Sequence, residues 1–199
     1  QQDARQATSI PNTGQTVENI FNFFRRQYGK GIDLARKRGL LIVVNDVNDL
    51  PSDIQNEVNI APNAKAFFYK NKAYFIANRI TEEDAPRMLL HEIGAHYGLE
   101  GMLGTANYDR TVKSLRAKKG TDADIANAFN FVANNYPEYN ETSDSFIQEV
   151  IAYIGESTPN NSVFRKIVGY IKNFLSKLNF GWNVNDISAA EIQDMVQHS

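Results

Sequence analysis

The sequence predicts an α+β fold in which a small mixed β-sheet with a hairpin is followed by a mostly helical half. Two observations lead to this prediction. Short segments rich in β-branched and aromatic residues are confined to residues 40–77, and from residue 85 onward the apolar residues recur at helical spacing. The first 16 residues hold few apolar side chains, so we expect a flexible tether over residues 1–16 and a single domain over residues 17–199.

The first half is predicted to contain one helix, one strand, a loop with room for one turn of helix after Ser52, and one hairpin. Apolar side chains recur at helical spacing over residues 17–28, and Gly29 marks the end of this helix. Residues 40–44 form a β-branched run that is typical of a buried strand. Residues 66–69 and 72–77 flank the dipeptide Lys70-Asn71, which predicts a hairpin whose second strand could bind an extended peptide at a sheet edge.

The second half is predicted to be helical. Pro86 is tolerated only in the first turn of a helix, so we expect a helix from residue 85 to residue 97, ended by Gly98. Ser188 and Glu191 are spaced as a capping pair at the start of the last helix. Further helices are expected over residues 108–117, 121–134, 143–155, 163–178 and 189–197.

Two of the predicted helices, over residues 163–178 and 17–28, carry basic residues beside apolar ones. The helix over residues 163–178 is interpreted as facing the core with a solvated basic side, in preference to lying on a membrane surface. Arg25 and Arg26 follow a run of aromatic residues, which we interpret as the solvated edge of a core helix and not as a nucleic-acid site.

The composition excludes several classes of function. A net charge of −2 and an isoelectric point near 6.0 provide no general attraction to phosphate backbones, so we expect no nucleic-acid partner. The absence of cysteine excludes disulfides and leaves His and carboxylates as metal ligands. No run of 18 apolar residues or signal peptide is seen, and the first residue is not Met, so we expect part of a larger protein without a membrane span.

The segment that carries chemistry is His91-Glu92-Ile93-Gly94-Ala95-His96. Two of the three histidines of the chain lie within it, and Glu92 directly follows the first. A regular helix turns about 100° per residue, so residues five apart differ by about 140° around the axis and could not share one metal ion. A π-type turn would absorb the extra residue. The motif therefore predicts a local widening of the helix at Gly94 and Ala95.

This motif resembles the His-Glu-x-x-x-His pattern of the dipeptidyl peptidase three family. Over residues 17–197 the chain also resembles the zincin-like metallopeptidase domain of large polyvalent proteins from bacteriophages and conjugative elements. The similar parts are the hairpin, the motif helix and the segment Gln148–Tyr153. The resemblance implies a zincin-like fold, one zinc ion per chain and hydrolysis of peptide bonds. The substrate would be the parent polyprotein or a host protein, and the location the virion or the host-cell cytoplasm.

The expected zinc ligands are His91, His96 and Glu149. Glu149 lies at the edge of an apolar helix face, where an unpaired carboxylate is costly, and its counterpart in the resembling domain occupies the matching helix. The alternative for Glu149 is a salt bridge on the helix surface. The reserve ligands are Glu156 and then Glu100.

Glu92 is the expected general base, which would take a proton from a zinc-bound water molecule. Zinc peptidases also supply a group that donates to the developing oxyanion. Tyr97, Tyr108, Tyr153 and His198 are the candidates for that role, and each of them also suits a packing or surface position. The alternative function is a catalytically silent zincin-fold module that binds other proteins or serves a structural role in a phage or mobile-element protein. A third alternative is association with nucleic acid, inherited from neighbouring modules.

Overall fold

In a computed structural model of the protein, the described residues are 10–57, 60 and 63–199. The fold is α+β, as the sequence predicts. The helices are α1 (Val17–Tyr28), α2 (Ile32–Lys37), α3 (Ser52–Glu57), α4 (Ala85–Leu103), α5 (Thr105–Lys118), α6 (Ala123–Asn135), α7 (Asp144–Ser157), α8 (Ser162–Lys177) and α9 (Ala189–Gln197). The strands are β1 (Leu41–Val44), β2 (Ala66–Tyr69) and β3 (Lys72–Ile76).

The chain divides into two compact units, residues 1–88 and residues 89–199, where the sequence analysis expects a single domain from residue 17. The boundary falls inside α4. Residues 1–9 of the expected tether lie outside the described residues. Residues 10–16 precede α1, and within them the backbone of Thr13 donates a hydrogen bond to the carbonyl of Asn78, with N and O 2.8 Å apart.

The first unit is built on a three-stranded sheet with the order β1-β3-β2. β3 pairs with β1 in parallel and with β2 as an antiparallel hairpin, so the sheet is mixed, as predicted. Because β3 is the central strand, it has no free edge, and the expected binding of an extended peptide along residues 72–77 is wrong. Lys70 and Asn71 have φ angles of 46° and 60°, which are the left-handed values that a two-residue hairpin turn of type I′ requires. α1 packs against the sheet, and the rings of Phe24 and Phe75 meet edge to face at 5.0 Å.

The second unit is helical. The buried side of α8 contains Val163, Phe164, Ile167, Ile171 and Leu175, which agrees with the interpretation of this helix as a core-facing helix with a solvated basic side. Most of these helices were predicted correctly from the sequence, because helix caps and the spacing of apolar residues are properties of short segments. α6 differs in one detail, since it begins at Ala123 with Asp122 as its N-cap, whereas the sequence analysis expects a helix from residue 121. None of the helices in the described part of the chain is long and apolar enough to cross a membrane.

The motif helix is regular where a widening was expected. Residues 85–97 are α-helical throughout, so the predicted π-type turn at Gly94 and Ala95 is wrong. Gly98 then breaks the helix, as predicted, because its φ of 67° and ψ of 168° are not helical. The backbone resumes a helical course up to Leu103.

Gly94 instead allows another helix to approach closely. A Cβ atom on Gly94 would lie 2.9 Å from the carbonyl oxygen of Met195 in α9, closer than Cβ atoms come to backbone atoms. Gly155 of α7 allows close approach of two helices, because its Cβ would lie 2.5 Å from the ring of Phe164 in α8 and 2.8 Å from Cγ of Gln193 in α9. Glycines on two different helices therefore lie where α9 packs.

We expect the substitution Gly94→Ala to destabilise the protein. Overpacking costs about 1–3 kcal/mol, which exceeds the gain of up to about 1 kcal/mol from removing a glycine inside a helix. The free energy of unfolding in urea measures the difference. Gly169→Ala is the matched control, because a Cβ at this position in α8 meets no heavy atom within 4 Å. If both substitutions stabilise the protein equally, Gly94 is not required for close packing.

Candidate metal site

Three side chains that can bind a metal ion converge in the second unit. His91 is in α4, Asp194 is in α9, and His198 caps the C-terminal end of α9. One possible ligand atom from each residue lies within 4.8 Å of the others, so this group could hold a metal ion. Among residues 10–57, 60 and 63–199, it is the only group of three or more His, Asp or Glu side chains with this property.

Asp194 connects the two imidazole rings. Nε2 of His91 lies 2.6 Å from one carboxylate oxygen of Asp194, and Nδ1 of His198 lies 3.6 Å from the other. The two rings stack with their centroids 4.2 Å apart and their planes at 24°. The side chains are partly open to solvent, with exposed fractions of 27% for His91, 33% for Asp194 and 51% for His198. The group is therefore both assembled and accessible.

The hydrogen bonds of His198 identify its tautomer. Nδ1 of His198 lies 2.7 Å from the backbone oxygen of Asp194. A carbonyl oxygen only accepts, so Nδ1 carries the hydrogen and donates, and in the neutral ring the lone pair is then on Nε2. Histidines that bind metals usually donate their other ring N–H to a carbonyl or a carboxylate in this way.

The structure of α9 explains why Asp194 and His198 act together. They are four residues apart, which places both on one side of a regular helix. Ile192, Met195 and Val196 are buried and direct the rest of the helix toward the core. At the N-terminal end, Ser188 and Glu191 form the predicted capping box.

The donor chemistry of the group fits zinc. Two imidazoles and one carboxylate are a ligand set found in catalytic zinc sites, which keep a fourth position open. The 2.6 Å contact between His91 and Asp194 is shorter than the roughly 3.4 Å that separates two ligands of one tetrahedral zinc ion. In this structure the two residues are thus joined by a hydrogen bond.

His96 does not join His91. Because α4 is regular here, the two side chains differ by about 140° around the helix axis. His96 is exposed, and its ring meets the ring of Tyr97 edge to face at 4.8 Å. The expected pairing of these two histidines on one metal ion required the helix widening that the structure lacks.

Glu149 and the two reserve carboxylates also lie outside the group. The negative charge of Glu149 is the main reason why the pKa of Tyr136 is raised. Among the described residues no salt bridge includes Glu149, so the alternative considered for it is not observed either. Glu156 and Glu100 are exposed, and neither belongs to the His91 group.

Glu92, the expected general base, is partly buried next to His91 in sequence. Burial raises the pKa of Glu92 to about 7. A carboxyl group with a pKa near neutrality can both accept and return a proton at physiological pH, which is the property that general acid–base catalysis requires.

The candidate oxyanion donors are dispersed. The ring of Tyr97 packs against that of Phe174, and burial raises the pKa of Tyr97. Tyr153 stacks on Phe131 with ring centroids 4.3 Å apart. The hydroxyl of Tyr108 donates to Asp144 over 2.7 Å, and burial together with this carboxylate raises its pKa. Of the four candidates, only His198 lies in the His91 group, where it offers a ring nitrogen.

Asp194 is the residue that sequence reasoning missed. The signal was the pair Asp194 and His198, spaced by four residues on a short capped helix, because this spacing needs no distortion of the helix. Comparisons with protein-family models, with curated proteins and with solved structures found no match.

The raised pKa of Glu92 predicts a pH-dependent stability of the metal-free protein. Between pH 4.5, the ordinary pKa, and about pH 7 the folded state binds more protons than the unfolded state, so stability falls as pH rises across this window. A shift of this size is worth about 3 kcal/mol in full, and partial exposure reduces it to about 1–2 kcal/mol.

We therefore expect Glu92→Gln to be more stable than the wild type by about 1–2 kcal/mol at pH 8 and equally stable at pH 4. Urea unfolding in the presence of a chelator measures both values. Glu156→Gln makes the same chemical change at an exposed position and should have little effect at either pH. If the difference in unfolding free energy between Glu92→Gln and the wild type is the same at pH 8 and at pH 4, the pKa of Glu92 is not raised.

Proposed function

We propose that this protein is a zinc-dependent hydrolase of peptide bonds in which His91, Asp194 and His198 hold the metal ion. The observation that carries the proposal is the convergence of these three ligands. Glu92 directly follows His91 in the sequence of α4. This set keeps His91 and Glu92 from the sequence-based prediction and replaces His96 and Glu149 with two residues of α9.

Each residue would have a defined task. A zinc ion held by the three ligands would supply Lewis-acid activation of a water molecule. Glu92 would take a proton from the attacking water and return it to the leaving amine. The bond from Nδ1 of His198 to the backbone of Asp194 fixes the orientation of that ring.

The resemblance to zincin-like domains of phage and mobile-element proteins supports a peptide or protein as substrate. In such a setting the parent polyprotein or a host protein would be cleaved, in the virion or in the host-cell cytoplasm. The partly exposed side chains of His91 and His198 support this choice, because a large substrate needs access to the metal.

A second candidate function is a catalytically silent zincin-fold module. The observation that favours it is the arrangement of His96 and Glu149, since the ligand set implied by the resemblance is not assembled. A module of this kind could bind other proteins without hydrolysing them.

Zinc binding by single variants separates the two ligand sets. We expect close to one zinc ion per wild-type chain. Substitution of a residue that merely orients a ligand costs about 10–100-fold in affinity, so His91→Ala and His198→Ala, which remove ligands, should lose at least that much. His96→Ala is the matched control and should bind as the wild type does. Titration with a competing chromophoric chelator measures the affinities.

Loss of zinc binding in His96→Ala would restore the ligand set predicted from the sequence. Absence of zinc binding in the wild type would exclude a metal site. Cleavage of a broad peptide library then tests catalysis, because Glu92→Gln should retain zinc but cleave about 10²–10⁴-fold more slowly. Zinc binding without cleavage by the wild type would support the silent module.

A further inference from the structure

Charge is strongly segregated within the second unit. Residues 120–164, which include α6 and α7, contain no Lys, Arg or His and seven carboxylates, namely Asp122, Asp124, Glu138, Glu141, Asp144, Glu149 and Glu156. The helices on either side of this segment in sequence have the opposite composition. α5 and α8 together carry one carboxylate, Asp109, and eight basic residues, namely Arg110, Lys113, Arg116, Lys118, Arg165, Lys166, Lys172 and Lys177.

The two basic helices are neighbours. At the end of α5, Nζ of Lys118 donates a hydrogen bond to the hydroxyl of Ser162 at the start of α8, with the atoms 3.3 Å apart. At the other end, Asn107 of α5 and Phe174 of α8 line the same cavity. α5 and α8 therefore run antiparallel as neighbours, and we call these two helices with their eight basic residues the basic helix pair.

In the part of the chain that the structure describes, the basic helix pair forms no ion pair with a carboxylate. None of the eight side chains has a carboxylate oxygen of a described residue within 4.0 Å. Arg110, Lys113, Arg116, Arg165, Lys166 and Lys177 are exposed. Like charges that lie close together without counterions repel one another, so a polyanion that neutralises them would bind favourably.

The surface chemistry favours a nucleic acid over a membrane. A helix that binds a bilayer surface needs large exposed apolar side chains to insert. Among the described residues, the large hydrophobic side chains that are exposed are Leu34 and Phe131, and neither lies on α5 or α8. The interior sides of both helices are occupied by core residues such as Leu115 and Ile171.

A cavity beside the basic helix pair offers contacts that suit nucleotides. Its volume is about 220 Å³, and its lining includes Asn107, Tyr170, Asn173, Phe174 and Lys177. Aromatic rings stack on bases, amides form hydrogen bonds with base edges, and lysine pairs with phosphate. These side chain types recur in proteins that bind single strands.

We propose that the basic helix pair is a nucleic-acid-binding surface that contacts the phosphate backbone. The proposal is independent of the zinc site and of peptide hydrolysis. It departs from the expectation of no nucleic-acid partner, because that expectation used the net charge of the whole chain. The net charge of −2 averages the acidic segment 120–164 with the basic helix pair.

The test is the fluorescence anisotropy of a labelled 20-nucleotide single strand and of the corresponding duplex, titrated with the full chain between 50 and 200 mM salt. We expect binding that weakens as salt rises. The double variant Lys113→Glu, Lys166→Glu should bind at least about tenfold more weakly, and loss of two phosphate contacts should lower the salt slope by about 1.4 on the single strand.

The control is Lys30→Glu, Lys37→Glu, which makes the same change in net charge at exposed positions of the first unit. It should bind within about twofold of the wild type if contacts are local to the basic helix pair. Equal weakening by both double variants, or no binding at 50 mM salt, would overturn the proposal. Binding to phosphatidylserine vesicles but to neither oligonucleotide would do so as well. Circular dichroism of both variants establishes that they are folded.

Discussion

The candidate site depends on the close packing of α9 against the glycines of two other helices. Gly94 of α4 admits the backbone of Met195, and Gly155 of α7 admits the side chain of Gln193. Asp194 lies between Gln193 and Met195 in α9. Because α9 packs this closely, Asp194 comes within hydrogen-bonding distance of His91. Dense packing of this kind leaves little freedom to shift a helix without disturbing its neighbours. The contact between Asp194 and His91 therefore depends on how closely the backbone of α9 approaches α4.

Local sequence signals were sufficient for most of the fold and insufficient for the site. Caps, apolar spacing and turn residues act over a few positions, which is why the hairpin at Lys70-Asn71, the break at Gly98 and the capping box of α9 were predictable. The histidine motif was interpreted in the same local terms, and Gly94 was taken as a place where the helix could widen. Its actual role is a contact with a residue 101 positions later, which spacing within the motif cannot reveal. α2 was missed because a helix of six residues is too short to show a clear period.

In the second unit the net charge does not describe how the charges are distributed. A net charge near zero can result from an even mixture of charges or from two opposed regions, and only the second arrangement produces a local field. Here several carboxylates of residues 120–164 have partners within the protein: Asp122 caps α6, Asp144 accepts from Tyr108 and Glu141 pairs with Lys119. The basic residues of α5 and α8 form no ion pair among the described residues, although Lys118 donates to Ser162 and Arg110 to Asn107. The two halves of the charge distribution therefore differ in their availability to a partner as well as in sign.

The hydrogen bond between His91 and Asp194 joins residues that are 103 positions apart. Bringing together two points so distant along a chain costs conformational entropy, and the cost increases with the length of the loop. A ligand bound simultaneously by α4 and α9 would act as a reversible cross-link around nearly the whole second unit. Occupancy of the site and resistance to unfolding would then rise together, and transient release of α9 would be the step through which the ligand escapes.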